Sequence, residues 1–401
     1  MTPARALRLR AARTCVAHHL ACALAAGDLP WCAAVRALAV DDPLGATLLG
    51  AGRLVRTEDA ALVNAVLGQS TFAEDLHLPS LVHPGSVVIP AAMALAEQSA
   101  LSGKDFLSAV VVGYEVAATL GTAMKTAEFA ARGFRPTGVF GPLGAAAAAA
   151  YLLRLDRSQT MSALGIAANM ASGLREWAHA GSTDVYVHNG LAARNGLLAA
   201  AGVTGPASAL TGAAGMAVAY SGGADAAPFD GESVVRQVRF KRHPTCSAVQ
   251  TVAELALSMR RPDLTADRIA SVTVHTHHHG KTNPGSFDGV GQLSVADYLD
   301  HGSAADLARR VTVAEDPDYT RAYPRTSGAR IDVTLVDGRV RTGRLADASP
   351  LTASEVDANL RRQLQAGREP EAAATVLRRL DELASLPSTA TLAAALRHGV
   401  A

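Results

Sequence analysis

The sequence predicts a mostly α-helical protein, in which a smaller α+β domain is inserted into a large all-helical domain. Up to about residue 235, apolar residues recur at helical spacing. Between about 234 and 345 the pattern changes to the alternation that is typical of strands, and after residue 351 helical spacing returns. We therefore assign residues 1–238 and 351–401 to the all-helical domain and residues 239–350 to the inserted α+β domain.

Each predicted element has a local signal. The amino-terminal helical segments are residues 6–25, 57–68, 87–101, 104–124, 144–153, 158–172 and 191–201. Residues 234–240 and 269–277 alternate as strands, with a helix at 248–259 between them. Residues 330–345 predict a hairpin with Asp337 and Gly338 as its two-residue turn. Helices follow at 352–365 and 371–383, and Thr352 with Glu355 forms a capping-box pattern at the start of the first.

The composition describes a soluble, enzyme-sized chain. With 401 residues, of which 49% are hydrophobic, it can bury a large core. A net charge of +1 and the absence of a basic cluster argue against nucleic-acid binding. We see no signal peptide before Asp28 and no apolar run of membrane-spanning length, so we expect no membrane association. The four cysteines lack metal-ligand spacing, which favours reduced thiols and a cytoplasmic location.

Residues 74–91, EDLHLPSLVHPGSVVIPA, carry the strongest chemical signal. Two carboxylates and two histidines precede an apolar helix. A helix N-terminus offers backbone N–H groups to an anion, and histidine titrates near neutral pH. The stretch therefore predicts proton transfer next to an anionic substrate.

Lysine is rare in this chain. Only four of the 37 Lys and Arg residues are lysines, namely Lys104, Lys125, Lys241 and Lys281. Arginine cannot replace lysine where a compact, deprotonatable ammonium group is needed. We interpret Lys241 as a candidate functional residue and the other three as surface residues.

Six motifs in order resemble the MmgE/PrpD family, the superfamily of 2-methylcitrate dehydratase and cis-aconitate decarboxylase. They are DLHLPSLVHPGSVVIPAAMALAE (75–97), GYEVAATLG (113–121), GFRPTGVFGPLGAAAAAA (133–150), ALGIAANMASGLREW (163–177), HNGLAARNG (188–196) and FKRHPTC (240–246). The resemblance implies an all-helical domain, an α+β lid beginning near residue 240, a cleft between them and a homodimer. It also implies chemistry without a metal ion or organic cofactor, on a small-molecule carboxylate or carbonyl substrate.

The resemblance also implies roles for individual residues. His83 matches the active-site histidine as general acid or base, although it could instead cap the following helix. Asp75 and Glu74 match the acidic pair, Asp75 with a catalytic role, and an ordinary solvated loop is the alternative. Lys241 matches the lid lysine that binds a carboxylate or enolate oxygen, although it could be a surface lysine. The expected substrate-binding residues are His77, Glu74, Arg135, Thr137, His188, Arg242, His243 and Phe72. For His188 a capping role at a helix start is the alternative, and Cys246 is expected to be a packed residue.

Several positions depart from the family pattern. Phe72 stands where many members have aspartate, Arg135 replaces a histidine, and Val185 replaces a lysine. Leu76 replaces a common threonine. In QLSVADYLD (292–300), Asp297 aligns with the lid tyrosine and Tyr298 lies one position away. These changes remove charged and titrating groups, so we expect a less charged substrate of specialised metabolism.

The most economical reaction is dehydration, isomerisation or cyclisation next to a carbonyl, with His83 carrying the proton. Two alternatives remain open. One is cofactor-free decarboxylation of an acid like cis-aconitate, and the other is an inactive binding subunit.

One further histidine cluster was considered as a metal site. His275 and His277 lie on the same side of a predicted strand, as metal ligands can. No carboxylate or cysteine stands nearby in the sequence to complete a ligand set, so we expect no metal. The glycine-rich stretches lack a strand–GxGxxG–helix context, which argues against a dinucleotide site.

Overall fold

A computed structural model describes residues 2–27, 29–202, 204–223, 232–282 and 307–398. The fold is mostly α-helical, as the sequence predicts. The helices are α1 (Pro3–Ala25), α2 (Pro30–Arg36), α3 (Thr57–Gln69), α4 (Gly85–Gln98), α5 (Gly103–Met124), α6 (Ala127–Ala131), α7 (Pro136–Leu152), α8 (Arg157–Asn169), α9 (Trp177–Ala180), α10 (Asp184–Ala199), α11 (Met216–Ser221), α12 (Gln250–Ser258), α13 (His278–Thr282), α14 (Pro317–Ala322), α15 (Ala353–Ala366), α16 (Pro370–Asp381) and α17 (Ala390–Arg397). The strands are β1 (Asp41–Leu48), β2 (Arg53–Val55), β3 (Asp75–Leu76), β4 (Arg239–Phe240), β5 (Ile269–Thr276), β6 (Val311–Glu315), β7 (Ala329–Leu335) and β8 (Val340–Leu345).

Helix α7 is the centre of the helical part. Every residue from Thr137 to Ala150 is buried, so this helix has no solvent-facing side. Helices α4, α5, α8 and α10 pack around it. A helix surrounded on all sides shows no amphipathic stripe, which explains why its sequence is apolar almost throughout, with nine alanine or glycine residues among its 17.

The closest approach between α5 and α7 depends on two glycines. A β-carbon on Gly113 would lie 2.4 Å from Cγ1 of Val88 and 2.8 Å from the carbonyl oxygen of Gly144. In return, a β-carbon on Gly144 would lie 2.7 Å from the carbonyl oxygen of Gly113. Backbone therefore packs directly on backbone at this point, and the interior has no room for a methyl group.

A four-stranded sheet forms the α+β part, in the order β6-β5-β7-β8. The β5–β6 pair is parallel and the β5–β7 and β7–β8 pairs are antiparallel. Alternate residues of β7 are buried, and they pack with Leu255 of α12 in a hydrophobic cluster separate from the helical core. The alternation therefore faces one side of the sheet toward α12.

A much shorter sheet connects distant parts of the chain. Strand β3 pairs antiparallel with β4, so that Asp75 lies opposite Phe240 and Leu76 opposite Arg239. Because the strands run in opposite directions, the residue before Asp75 and the residue after Phe240 are neighbours at the same end of the pair. This register brings Glu74 next to Lys241.

The predicted helices occur, but several boundaries and one element were wrong. Helix α7 begins at Pro136 and α10 at Asp184, earlier than the expected starts at 144 and 191. The expected strand at 234–240 is a 3-10 turn at Val234–Arg236 followed by the two residues of β4. The residues of that stretch pack against helices, and only two of them find a strand partner.

The hairpin and the capping box were predicted from local signals. The hairpin forms, but its turn is one residue longer than expected, because the amide of Leu335 hydrogen-bonds the carbonyl of Arg339 and leaves three residues between them. Gly338 takes the positive φ of 84° in this loop. The capping box of Thr352 and Glu355 is present at the start of α15. The domain boundaries at 238/239 and 350/351 stay a prediction.

Helix α5 corrects the expectation that no segment has membrane-spanning length. By length and apolar composition alone, Gly103–Met124 could cross a bilayer. Within the described residues, 56% of its apolar window is buried inside the protein. This degree of burial is typical of a core helix, which passes the same test of length and composition.

Replacing Gly113 by Ala tests the α5–α7 packing. The new methyl group overlaps Val88 and the Gly144 carbonyl, so we expect the free energy of unfolding to fall by about 1–3 kcal/mol. Chemical denaturation measures this change. Gly367→Ala is the matched control, because its β-carbon has no atom within 4 Å and its φ is −124°. Equal stabilities for the two variants would contradict the packing argument.

Candidate active site

A cavity of about 320 Å³ opens where helical residues meet residues of the α+β part. Its helical wall comes from the loop before α4, the C-terminal end of α5 and the N-terminal end of α7. Its other wall comes from residues 241–247, α13 and the end of α14. Five of the predicted site residues line it, namely Phe72, His83, Arg135, Thr137 and Lys241.

Lys241 lines this cavity and forms a buried ion pair with Glu74, which lies behind it and does not line the cavity. Nζ of Lys241 lies 2.6 Å from Oε1 of Glu74, and both side chains are about 3% exposed. The ammonium group also donates to the carbonyl oxygen of Phe72 at 3.0 Å. The alternatives of a solvated acidic loop and of a surface lysine are therefore wrong. The pair is held by the β3–β4 register described above.

His83 is held as a neutral imidazole with a defined tautomer. Its Nδ1 lies 2.8 Å from the carbonyl oxygen of Asp75, which can only accept a hydrogen bond, so Nδ1 carries the proton. Burial and the positive charges of Lys241 and Arg135 keep the pKa of His83 well below its usual range. The carboxylate of Glu74 lies 3.1 Å from Nδ1, and its negative charge favours a protonated imidazole. The same oxygen is paired with Lys241, which weakens this effect.

This arrangement leaves Nε2 of His83 as an unprotonated acceptor on a side chain that lines the cavity. The imidazole makes no hydrogen bond to the helix N-terminus that follows, so the alternative role as a helix cap is wrong. A neutral imidazole with a free basic nitrogen can accept a proton from a bound molecule.

Asp75 occupies the position expected for the substrate's anionic group at the start of α4. Its Oδ1 accepts from the amide of Gly85 at 2.9 Å, and its Oδ2 accepts from the hydroxyl of Tyr114 at 2.7 Å. The residue is buried and does not line the cavity. Burial raises the pKa of Asp75 to about 6. The Asp75 carboxylate thus accepts a hydrogen bond from the first residue of α4, and the backbone carbonyl of Asp75 orients the ring of His83.

Arg135 supplies a positive charge that forms no ion pair with an acidic side chain of the described residues. It is buried, and one terminal nitrogen donates to Oδ1 of Asn189, which is a neutral partner. Burial lowers the pKa of Arg135 to about 10, so it remains charged at neutral pH. It immediately precedes α7, a 17-residue helix whose N-terminal end also favours negative charge.

Asn189 and Gln69 connect the cationic groups of the site. The amide nitrogen of Asn189 donates to Gln69 at 2.7 Å, and the amide nitrogen of Gln69 donates to Glu74 at 3.3 Å. Sequence reasoning missed both residues. Asn189 lies in the HNG motif, in which only His188 was predicted to bind substrate. Gln69 is the last residue of α3, and no motif marks it as a site residue.

Phe72 and Thr137 complete the predicted wall. The ring of Phe72 lies 5.9 Å from Nζ of Lys241, within reach of a cation–π interaction. The hydroxyl of Thr137 accepts a hydrogen bond from the amide of His83 at 3.1 Å and so fixes the His-Pro-Gly turn against α7. Of the apolar replacements seen in the sequence, only Phe72 lines the cavity, whereas Leu76 and Val185 are buried elsewhere.

Five predicted substrate-binding residues do not line the cavity, namely Glu74, described above, and four others. His77 is buried and its Nδ1 lies 2.9 Å from the Ser80 hydroxyl. His188 lies in the second turn of α10, where Nε2 is 3.2 Å from Asp184, so it is not at a helix start either. Two others face the C-terminal helices and α12. They are Arg242, which donates to Glu355 at 2.8 Å, and His243, whose amide donates to Gln250 at 3.1 Å.

Several cavity residues were not predicted. The most polar are Lys125, Arg175, His279 and Tyr323, and Trp177 adds an aromatic surface. The prediction that Lys125 is a surface residue is wrong, because it lines the cavity. His279 follows the predicted strand of His275 and His277, and its sequence position gives no signal for the cavity. Cys246, expected to be a packed residue, lines the cavity and is partly buried.

The histidine cluster does not form a metal site in the described part of the chain. His275 lies 3.1 Å from Asp332, and His277 bonds Ser327 at 2.9 Å. Among the described residues, no group of three or more His, Cys, Asp or Glu side chains could hold a metal ion. The predicted lid positions Asp297 and Tyr298 lie outside the described residues.

The protein is thus mostly helical, and its cavity, which is lined by cationic side chains, lies at the N-terminal end of α7. The model of the MmgE/PrpD N-terminal domain matches residues 3–228, which is more than half of the chain. The protein therefore belongs to the MmgE/PrpD family.

Three relatives show how divergent this member is. A cis-aconitate decarboxylase-like protein of Aspergillus oryzae is 38% identical over 191 residues, which cover 45% of this chain and 39% of that protein. The cis-aconitate decarboxylase of Aspergillus terreus is 28% identical in an alignment of 386 residues. This alignment covers 82% of this chain and 79% of that protein. The cis-aconitate decarboxylase of Mus musculus is 32% identical over 332 residues, or 71% and 66% respectively.

Breaking the buried ion pair tests how much it contributes to the free energy of unfolding. Lys241→Met leaves Glu74 as an uncompensated buried charge, and Glu74→Gln leaves Lys241 in the same position. We expect each single variant to lose about 3–5 kcal/mol of unfolding free energy and the double variant to recover part of that loss. Urea denaturation of all four proteins measures the coupling. Strictly additive losses would show that the two charges do not interact.

The raised pKa of Asp75 predicts a pH dependence of stability. The folded-state pKa of about 6 lies above the ordinary value of 3.8, so the folded protein binds the extra proton between these pH values. The resulting stabilisation is present below pH 4 and is lost as pH rises through 6, on the order of 3 kcal/mol.

Asp75→Asn imitates the protonated form and removes this dependence. We therefore expect the melting temperature of the unmodified protein, minus that of the variant, to fall between pH 4 and pH 7. Thermal melts across this range provide the measurement. A difference that rises with pH would mean that the ionised carboxylate is the form the fold prefers.

Proposed function

We propose that this protein is a lyase- or isomerase-type enzyme that moves a proton next to a carboxylate or carbonyl group, without a metal ion or organic cofactor. The observation that carries the proposal is His83, a neutral imidazole whose Nδ1–H is engaged and whose Nε2 is available to the cavity. A base in this state needs no prior deprotonation at neutral pH.

The charges around His83 support an acid as substrate. Removing a proton next to a carboxylate creates an enolate-like anion, which fixed positive groups stabilise. Arg135 and the N-terminal end of α7 lie in the cavity wall, where their positive charge would stabilise this anion. In the proposed reaction, the substrate carboxylate binds at Arg135, Nε2 of His83 takes the proton from carbon, and Lys241 stabilises the developing charge from its position beside Glu74. In a dehydration, the protonated His83 then returns this proton to the departing hydroxyl group, which leaves as water.

One part of the sequence-based hypothesis changes. The sequence predicted a less charged substrate because several charged groups of the family pattern are missing. The cavity lining argues against weak charge, since Lys125 and Arg175 add positive groups that were not among the predicted site residues. Phe72, Phe134 and Trp177 support the other half of that hypothesis, a substrate with a larger apolar part.

Dehydration is the first reaction we propose, and cofactor-free decarboxylation is the second. The second is favoured by the relatives, which carry the name cis-aconitate decarboxylase. Both reactions pass through a negative charge at a carbon next to a carboxylate, so the same residues would stabilise either one. The products distinguish them, because one releases water and the other carbon dioxide.

Three further expectations remain proposals. Residues 239–350 would act as a lid over the cavity, which is supported by their separate hydrophobic cluster and by the cavity residues that they contribute. The chain would work as a homodimer in the cytoplasm, as its resemblance to the family implies. Light scattering on the purified protein measures the oligomeric state.

Replacing His83 by Asn tests the proposed base. Asn keeps a hydrogen-bond donor near the Asp75 carbonyl but cannot accept a proton, so we expect kcat/KM to fall by about 10²–10⁴-fold. Substrates to be tested are cis-aconitate, 2-methylcitrate and longer apolar acids, with carbon dioxide release, water loss and deuterium exchange at carbon as readouts.

His398→Asn is the matched control, because this histidine is exposed and does not line the cavity. Full turnover in the His83 variant would show that another group is the base. Binding of these acids without turnover or exchange in the unmodified protein would favour the inactive binding subunit instead.

A further inference from the structure

A chain of buried hydrogen bonds connects the two cationic residues of the proposed reaction. A terminal nitrogen of Arg135 donates to Oδ1 of Asn189. Nδ2 of Asn189 donates to Oε1 of Gln69 at 2.7 Å, and Nε2 of Gln69 donates to Oε1 of Glu74 at 3.3 Å. The same oxygen of Glu74 accepts from Nζ of Lys241 at 2.6 Å. None of these five residues is more than 6% exposed, so the bonds join protein groups rather than protein and bulk water.

The direction of every bond in this chain is fixed by its two ends. A guanidinium group only donates hydrogen bonds, and an ionised carboxylate only accepts them. Asn189 therefore turns its oxygen to Arg135 and its nitrogen to Gln69, and Gln69 turns its nitrogen to Glu74. Reversing either amide would place donor against donor or acceptor against acceptor. Each of the two amides consequently has one favourable orientation.

Asn189 also connects to the backbone of the proposed base. Its Nδ2 lies 2.5 Å from Oγ of Ser86, and this hydroxyl donates to the carbonyl oxygen of His83 at 3.0 Å. Because a carbonyl oxygen only accepts, the Ser86 hydroxyl uses its hydrogen there and accepts from Asn189. The single amide of Asn189 thus joins the end of α3, the first turn of α4 and the residue before α7.

Arg135 and Lys241 differ in the charge of their partners. Lys241 is paired with the carboxylate of Glu74. Arg135 is bonded to a neutral amide and forms no ion pair with any described residue. An amide oxygen takes one N–H group of the guanidinium and leaves its net charge unneutralised, whereas a carboxylate at the same place would form a second buried ion pair. A charge held in this way can still attract an anion in the cavity, which Arg135 lines.

We propose that Asn189 is a positioning residue, which holds the guanidinium of Arg135 in a fixed orientation relative to His83 and keeps its charge available to the substrate. Asn189 is fully buried and does not line the cavity, so it acts through Arg135 rather than by touching the substrate. That the substrate group at Arg135 is a carboxylate rests on the proposed function. The hydrogen-bond chain and the neutral partner do not depend on it.

This role makes position 189 decisive for the charge of one part of the cavity wall. With a carboxylate there, both cations of the chain would be neutralised by buried acids. With the amide of Asn189, Lys241 is neutralised and Arg135 is not. The arginine that replaces a histidine of the family pattern therefore has, in the HNG motif, a partner that orients a guanidinium without cancelling its charge.

Two substitutions of Asn189 separate charge from orientation. Asn189→Asp pairs with Arg135, so we expect KM for an acid substrate to rise about 10- to 100-fold with a smaller change in kcat. Asn189→Leu leaves the charge of Arg135 but removes its acceptor, so we expect kcat to fall about 10- to 100-fold with a smaller change in KM. Steady-state kinetics measures both constants. A role in folding alone would change them in the same pattern in both variants.

The protonation of His83 gives a second readout that needs no turnover. The positive charge of Arg135 helps to lower the pKa of His83, so pairing that charge in Asn189→Asp should raise this pKa. Asn189→Leu keeps the charge and should leave the pKa unchanged, and Lys241 and Glu74 remain in both variants. NMR spectra of the ¹⁵N-histidine-labelled proteins at a series of pH values measure the shift. The spectrum of His83→Asn identifies the signal.

Asn195→Asp is the matched control. Asn195 lies on the same helix α10 and does not line the cavity, and its Nδ2 donates to the carbonyl oxygen of Met170 at 3.1 Å. The same chemical change is thus made away from Arg135, and we expect KM, kcat and the pKa of His83 to stay unchanged. Thermal melts establish that each variant is folded.

The proposal is wrong if the pKa of His83 is the same in Asn189→Asp as in Asn195→Asp, or if both variants of Asn189 change KM and kcat in the same pattern. If Asn189→Asp does not fold, an unchanged kcat in Asn189→Leu overturns the proposal. The proposed base is tested separately. Full turnover in His83→Asn together with the expected pKa rise in Asn189→Asp would refute the base and support the role of Asn189. Lost turnover in His83→Asn without that rise would do the reverse.

Discussion

The site depends on one buried interaction, the ion pair of Glu74 and Lys241. A desolvated charge is tolerated only with a close partner, so each residue requires the other to be in place. Two residues of strand pairing, β3 with β4, set this proximity across more than 160 positions of sequence. The same pairing fixes the carbonyl of Asp75, which in turn sets the tautomer of His83. Protonation state, orientation and access to the cavity thus follow from one short piece of backbone register.

The alanine- and glycine-rich helices provide a rigid support for this register. Where α5 and α7 meet, backbone contacts backbone at Gly113 and Gly144, which leaves little freedom for the helices to shift. The cavity lies at the N-terminal end of α7, so Arg135 and Thr137 are positioned by a helix that is buried on all sides. Close helix packing therefore supports Arg135, which forms no ion pair with any described residue, at the N-terminal end of α7.

The positive charge of the cavity wall comes from more positions than the residues matched to the family pattern. The family pattern loses a lysine at Val185 and a histidine at Arg135. The cavity nevertheless carries positive charge at Lys125 and Arg175, each ten positions from one of those sites. Comparison of motifs position by position does not show this charge, because it does not show which side chains share a cavity. Only the summed charge of the cavity wall decides which substrates are favourable.

The sequence by itself determined the mostly helical class, the hairpin and the capping box of α15, because these follow from local periodicity and short motifs. It also singled out the stretch around His83, which lines the cavity. Tertiary structure decided which polar residues share a cavity. Asp75 turned inward to cap α4, His77 and His188 lie outside the cavity, and Arg175 lies within it. The physical reason is that burial and pairing depend on contacts between residues distant in sequence, which no local pattern encodes.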